Sequence, residues 1–312
     1  MMKKIILAIA AMVMTAGMIS AQDMAQATEL YNNGATAITL KNWSEALDCF
    51  QKALAMGETI GEEADELVAN CKNAIPGVTL QIAKDLIKDD KFDEAATKLD
   101  ETAKIAEQYG NTEVADEVKE IIPQMWLQKG ANALKLKDFA TAADGFAKSY
   151  AIDTTVGKTA LYLGQALGQL GKTDEAVEAF KHAAWNGEEE TAMDQISTIY
   201  VKEANKAFKA QKFADAVKAA DKANSFSENA TAYLIAGQAS QKLSKNSDAI
   251  KNFEKYLELK PNASNANGII FTVGALYQGQ KNNAKALEFY KKVQNDAKFG
   301  AQAKQMIAAL SK

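Results

Sequence analysis

Small and bulky apolar positions recur along this chain at helical spacing, and the pattern itself repeats. Seven segments, at residues 43–50, 92–99, 139–146, 173–180, 213–220, 247–253 and 284–290, each place an alanine four residues before a core residue that is usually aromatic. The alanines are Ala46, Ala95, Ala142, Ala176, Ala216, Ala249 and Ala286. Twelve residues upstream of each stands another small residue: Gly34, Ala83, Gly130, Gly164, Ala204, Gly237 and Gly274. Polar pairs such as Lys41-Asn42, Asp90-Lys91 and Lys137-Asp138 separate the halves. The spacing predicts seven hairpins of two helices, with facing small residues letting the axes approach to about 8 Å. One hairpin cannot bury its apolar stripe alone, so successive hairpins must stack. Met306, Ile307 and Leu310 follow the last hairpin and predict a capping helix over its open face.

The pattern resembles the tetratricopeptide repeat, over residues 27–294. The sixth unit carries it most fully, with Tyr233, Gly237, Ala249, Phe253 and Pro261 at family spacing, and the seventh supplies Gly274 and Tyr277. The resemblance implies an all-α, right-handed superhelical solenoid of about seven repeats with a C-terminal cap. The signature alanines are not evenly spaced, however. Intervals of 49 and 47 residues precede Ala95 and Ala142, against a family period of 34. The excess falls at residues 62–75 and 112–122, ahead of Pro76 and Pro123, which are themselves 47 apart. These stretches read either as first helices lengthened at their N-terminal side and bent at proline, or as separate short helices. Residues 187–191 account for a further insertion.

Composition narrows the function. Only 3 of 312 residues are proline, in keeping with helices throughout. All 36 basic residues are lysine, and His182 is the one histidine. Without arginine there is no bidentate clamp for phosphate and no guanine readout. A lone histidine leaves little for acid–base or metal chemistry. The chain therefore reads as neither an enzyme nor a nucleic-acid binder, with no cofactor or metal. Residues 22–125 hold 21 acids and 9 lysines, net −12; residues 126–312 hold 19 acids and 25 lysines, net +6. Such a gradient either is solvated surface or orients a partner, including a second copy.

Lys3 and Lys4, an apolar run from Ile5 to Ile19 and the small residues Ser20 and Ala21 have the layout of a cleaved signal peptide. A mature chain from near Gln22, periplasmic or secreted, with no membrane-spanning segment, is the expectation. The organisation read from sequence is thus a signal peptide at 1–21, long acidic repeats at 22–125, near-standard repeats at 126–294 and a cap at 295–312.

Several local patterns lose to duller readings. Residues 166–173 satisfy a loose phosphate-loop pattern but fall at the end of a helix and its turn, with no strand before them. His182 has no second histidine or cysteine at ligand spacing. The acidic runs Glu62-Glu63, Asp65-Glu66 and Glu188-Glu189-Glu190 lack the alternating oxygens of a calcium loop and suit helix starts. Cys49 and Cys71 are the one pair able to form a disulfide: they sit at similar heights on successive antiparallel helices, about 15–18 Å from the turn between them. Free buried thiols are the competing outcome.

By the resemblance, first helices line a concave groove that holds peptides. Carried over by position, its wall comprises Tyr31, Gln81, Lys84, Gln128, Tyr162, Gln165, Gln169, Asn205, Lys209, Gln238, Gln241 and Gln278. The variant of the groove that grips a terminal carboxylate is not supported, because Tyr31, Asn32 and Ala35 stand where its first clamp residues would lie. An amide-rich wall suits main-chain hydrogen bonding to a protein or peptide partner. The leading reading is a non-catalytic interaction scaffold of the cell envelope; a glycan-binding accessory protein is the alternative. A hydrolase merely carried on the solenoid lacks a nucleophile–histidine pairing.

Overall fold

A computed structural model describes residues 20–311, and among them there is no strand. The expected signal segment, apart from its last residues, lies outside the described residues. Fifteen α-helices form seven antiparallel hairpins and a cap. The hairpins are α1 (Ser20–Thr39) with α2 (Trp43–Ile60), α3 (Asp65–Lys88) with α4 (Phe92–Gln108), and α5 (Thr112–Lys135) with α6 (Phe139–Ile152). There follow α7 (Gly157–Gln169) with α8 (Thr173–Ala183), α9 (Glu189–Lys209) with α10 (Phe213–Phe226), α11 (Ala230–Lys242) with α12 (Asn246–Leu259), and α13 (Ala266–Gly279) with α14 (Asn283–Lys292). The cap is α15 (Gly300–Leu310), whose Met306, Ile307 and Leu310 pack against Tyr290, Val293 and Ala303. The helices form two compact units, one ending at Thr155 and one beginning at Val156, so the third hairpin belongs with the first two.

Every hairpin turns in the same way. One residue per turn takes the left-handed conformation: Lys41, Asp90, Lys137, Gly171, Gln211, Ser244 or Lys281, with φ between 58° and 74°. That residue's N–H and the next one both bond back to the end of the first helix, as in Lys137 to Leu134 O at 3.0 Å and Asp138 to Ala133 O at 2.9 Å. This closes the orphan carbonyls of the helix end. Only at Gly171 is the conformation free of side-chain strain.

The small residues work differently from the expected small–small pairing. All seven alanines are fully buried, but the upstream small residue faces the bulky residue sixteen positions later. A Cβ on Gly130 would lie 2.7 Å from the Phe146 ring, on Gly164 2.7 Å from Phe180, and on Gly237 2.6 Å from Phe253. Gly34 meets Phe50 and Gly274 meets Tyr290 in the same way, at 2.9 Å. The ring fills the space of the missing side chain. Where the upstream residue is alanine, the downstream one is smaller: Leu99 after Ala83, and Ala220 after Ala204.

The long intervals resolve as lengthened first helices. α3 and α5 each run 24 residues without interruption, with Pro76 and Pro123 inside them. Their extra N-terminal turns pack on the preceding second helix. Leu67, Cys71 and Ile75 join Phe50, Ala53 and Leu54 in one cluster, and Val114 and Val118 join Leu99 and Ala106 in the next. α9 is also long, and the chain enters it through a π-helical turn at Ala184–Glu188, where Gly187 has φ 95°. The phosphate-loop look-alike is the C-terminal end of α7 and its turn.

Candidate functional site

In the first unit the expected groove residues are largely absorbed by the fold. Tyr31 is a correction: it is 8% exposed, its ring packs 5.3 Å from that of Phe50, and it belongs to the core. Burial, followed by the nearby Cys71, pushes its hydroxyl above the usual phenol range. Lys84 is half-buried on α3 and pairs with Glu117 on α5, so its charge ties two first helices together. Gln81 beside it is half-buried, and Gln128 on α5 is exposed. Of the two outcomes the sequence leaves open for the cysteines, the structure has the free thiols: Cys49 and Cys71 are both unbridged and buried. Burial pushes the Cys71 thiol up to about 12.

In the second unit an open cavity of about 370 Å³ lies between the first helices α7 and α9. Gln165 and Gln169 form one wall, as the sequence predicts, and Phe180 of α8 closes the base. The opposite wall is Gln195, Thr198, Ile199, Lys202, Glu203 and Lys206 of α9. Asn205 and Lys209 are exposed on the same helix outside the cavity lining. Tyr162 is half-buried on α7 and also outside it. On α11, Gln238 is half-buried and Gln241 exposed. Gln278 on α13 is engaged, its side-chain oxygen accepting from the Tyr290 hydroxyl at 2.8 Å.

The residues missed on α9 have a simple origin. Matching repeats by position assigns Asn205 and Lys209 because they follow Ala204 as Gln165 and Gln169 follow Gly164. A gap between two successive first helices also needs the face of the second that looks back at the first. On α9 that face is spaced 195, 198, 202, 206, a helical stripe of i, i+3 and i+4 steps. The positions two before and two after the repeat's small residue carry a lysine pair only here; α11 has Ile235 and Ala239, and α13 has Thr272 and Leu276.

Lys202 and Lys206 make no ion pair among the described residues. A second cavity, of about 390 Å³, differs in this respect. It has an apolar base of Leu257, Ile270 and Phe289, and its lysines are closed off by Glu288, at 2.9 Å from Lys285 and 3.1 Å from Lys292. The α7–α9 cavity thus combines amide donors and acceptors and the Glu203 carboxylate with two ammonium groups that make no ion pair among the described residues. Among the described residues no three His, Cys, Asp or Glu side chains converge as they would around a metal ion.

The family model of the tetratricopeptide repeat matches residues 162–184 and 230–263, which cover α7–α8 and α11–α12. Among solved structures the chain is similar to a crystal structure of MamA protein, at 20% identity over 58% of this chain and 94% of that one, with TM-score 0.37. It is similar to YrrB, titled a TPR protein with an unusual peptide-binding site, at 17% identity over 58% and 91%, with TM-score 0.33. The TPR2AB domain of yeast Sti1, in a pHSP90 complex, matches at 18% identity over 92% of this chain and 99% of that one, with TM-score 0.35. No curated protein matches the sequence.

Proposed function

We propose that this chain, a member of the tetratricopeptide-repeat family, is an interaction scaffold that holds an extended segment of a partner protein between α7 and α9. The carrying observation is the cavity lined by Gln165, Gln169, Gln195, Lys202 and Lys206, whose side chains make no hydrogen bond or ion pair among the described residues. Glutamine amides both donate and accept, so they suit the alternating N–H and C=O groups of an extended main chain. Each such contact contributes about 0.5–1.5 kcal/mol net. Affinity is therefore spread over several contacts, with the lysines favouring a carboxylate on the partner.

A random-peptide display selection on the intact chain tests this. Selected peptides should bind the variant Q165A/Q169A/K202A/K206A at least tenfold more weakly while its melting temperature stays within a few degrees of wild type. Equal binding to that variant would refute the site. A polysaccharide panel in the same assay addresses the glycan reading, for which no structural observation speaks.

We further propose that the protein works outside the inner membrane. The support is Lys3, Lys4 and the apolar run that ends at Ile19, together with small residues before Gln22. No helix among the described residues is long and apolar enough to cross a membrane. Terminal sequencing of the native protein from the envelope fraction should find a start near Gln22. Full-length chain in the cytoplasm would contradict it.

A further inference from the structure

The two units carry opposite net charge. Residues 22–155 hold 24 acids and 13 lysines, net −11; residues 156–312 hold 16 acids and 21 lysines, net +5. In the second unit the turns that join first to second helices are rich in exposed lysine: Lys172, Lys209, Lys212, Lys242, Lys245 and Lys281. All but Lys172 lack an ion pair among the described residues. Leu170 and Leu243, 41% and 36% exposed, sit among them.

Helix stability does not account for these lysines. Lys172, Lys212 and Lys245 are the N-cap residues of α8, α10 and α12, and none caps with its side chain. An N-cap favours a short side-chain acceptor, and the positive end of the helix dipole repels a cation there. The same position is lysine once in the first unit, at Lys91. Here it is lysine in three of four hairpins, where further exposed lysines surround it, and this concentration points to an external partner.

The complementary surface is on the first unit, at the opposite ends of its hairpins. Glu62, Glu63, Asp65 and Glu66 crowd the entry to α3, while Glu107 lies at the end of α4 just before α5 and Glu120 lies two turns into α5. All six are exposed and make no ion pair among the described residues. We propose that the lysine edge of one copy docks on the acidic edge of a second copy, joining copies head to tail. Such a contact is heterologous, because it pairs two different surfaces of the chain. It depends on exposed charge and weakens as salt shortens the screening length.

Sedimentation velocity of the purified chain over a range of concentrations, at about 20 mM and about 500 mM salt, tests this. The mass should rise with concentration at low salt, and association should weaken roughly tenfold or more at high salt. The variant K172D/K212D/K245D gives three helices a better N-cap, so lost association in it is not lost folding. It should be monomeric, as should E62K/E63K/D65K/E66K, and a mixture of the two should form a hetero-complex. Association of either variant alone at wild-type strength would overturn the proposal, as would a mass independent of concentration. So would binding of the wild type to anionic lipid vesicles without self-association, which would assign the lysine edge to a lipid surface.

Discussion

The hairpins up to Thr155 and those from Val156 onward hide the same kind of apolar stripe by different means. In the first unit, α3 and α5 are extended by three turns that lie along the preceding second helix, so stacking is secured by aliphatic side chains such as Leu67, Ile75, Val114 and Val118. Both units seat aromatic rings against glycines, Gly34–Phe50 and Gly130–Phe146 in the first and Gly164–Phe180, Gly237–Phe253 and Gly274–Tyr290 in the second. In the second unit, however, α7, α11 and α13 have only 13 or 14 residues and add no such extension. Length brings acids: Asp65, Glu66, Asp116 and Glu120 all lie on the extra turns. Lengthened helices also consume groove chemistry, as the Lys84–Glu117 pair shows. In the α7–α9 gap, where a short first helix meets a long one, Lys202 and Lys206 make no ion pair among the described residues. The difference teaches that a long first helix can tie its polar side chains into stacking, as at Lys84 and Glu117, whereas the gap between α7 and α9 leaves glutamines and lysines lining an open cavity.

The largest effect should come from removing what each unit relies on. Phe253→Ala should destabilise by about 3–5 kcal/mol and Leu67→Ala by about 2–5 kcal/mol, measured by denaturant unfolding. A loss below about 1 kcal/mol for Leu67→Ala would mean that the α3 extension is not part of the core.

Glycine substitutions sharpen the contrast through their sign. Gly237→Ala places a methyl 2.6 Å from the Phe253 ring and should cost about 1–3 kcal/mol. Gly168→Ala, whose Cβ meets only Ala176 at 3.9 Å, should instead stabilise by about 0.5–1 kcal/mol, the ordinary helix preference. Thermal denaturation of both should give shifts of opposite direction.

Smaller gains are expected at the turns. Lys137 holds a left-handed conformation at φ 61°, and Lys137→Gly should stabilise by about 1 kcal/mol. Lys212→Asp should add about 0.5–2 kcal/mol by capping α10 while weakening self-association, so stability and assembly move oppositely.

The smallest effect concerns Cys71. Its thiol is raised to about 12 by burial, so the neutral form is the folded one. The stability this contributes is complete below the unfolded thiol's range, near 8.5, and is lost as pH rises towards 12. Below pH 9, alkylation of Cys49 and Cys71 should proceed only at the rate of unfolding; a burst of labelling in the folded protein would show that the sites are open.

Much of this architecture is legible in the residues, because each hairpin repeats its own spacing. Ala142 and Gly130 announce the third hairpin whatever the length of the insertion before it, and prolines 47 residues apart point to equivalent extensions. Position alone could not tell that Gly130 accommodates Phe146, although both residues were in view; the ring's reach across the hairpin is a matter of side-chain direction. Tyr31 was misplaced for the same reason, since a tyrosine on a first helix can turn to the groove or onto Phe50. The back wall of the cavity, Gln195 to Lys206, escaped because equivalence between repeats describes one face of each helix, whereas a gap has two.

Site-specific photocrosslinking tests the groove most directly. A benzoylphenylalanine placed at Gln169, on the wall of the α7–α9 cavity, is compared with one at the exposed Lys251 of α12, with native envelope extract as the source of partners. The groove account predicts a discrete crosslinked protein at position 169, competed away by a peptide selected on the wild-type chain, and none at position 251. Crosslinking to the same protein at 251 but not at 169 would contradict it.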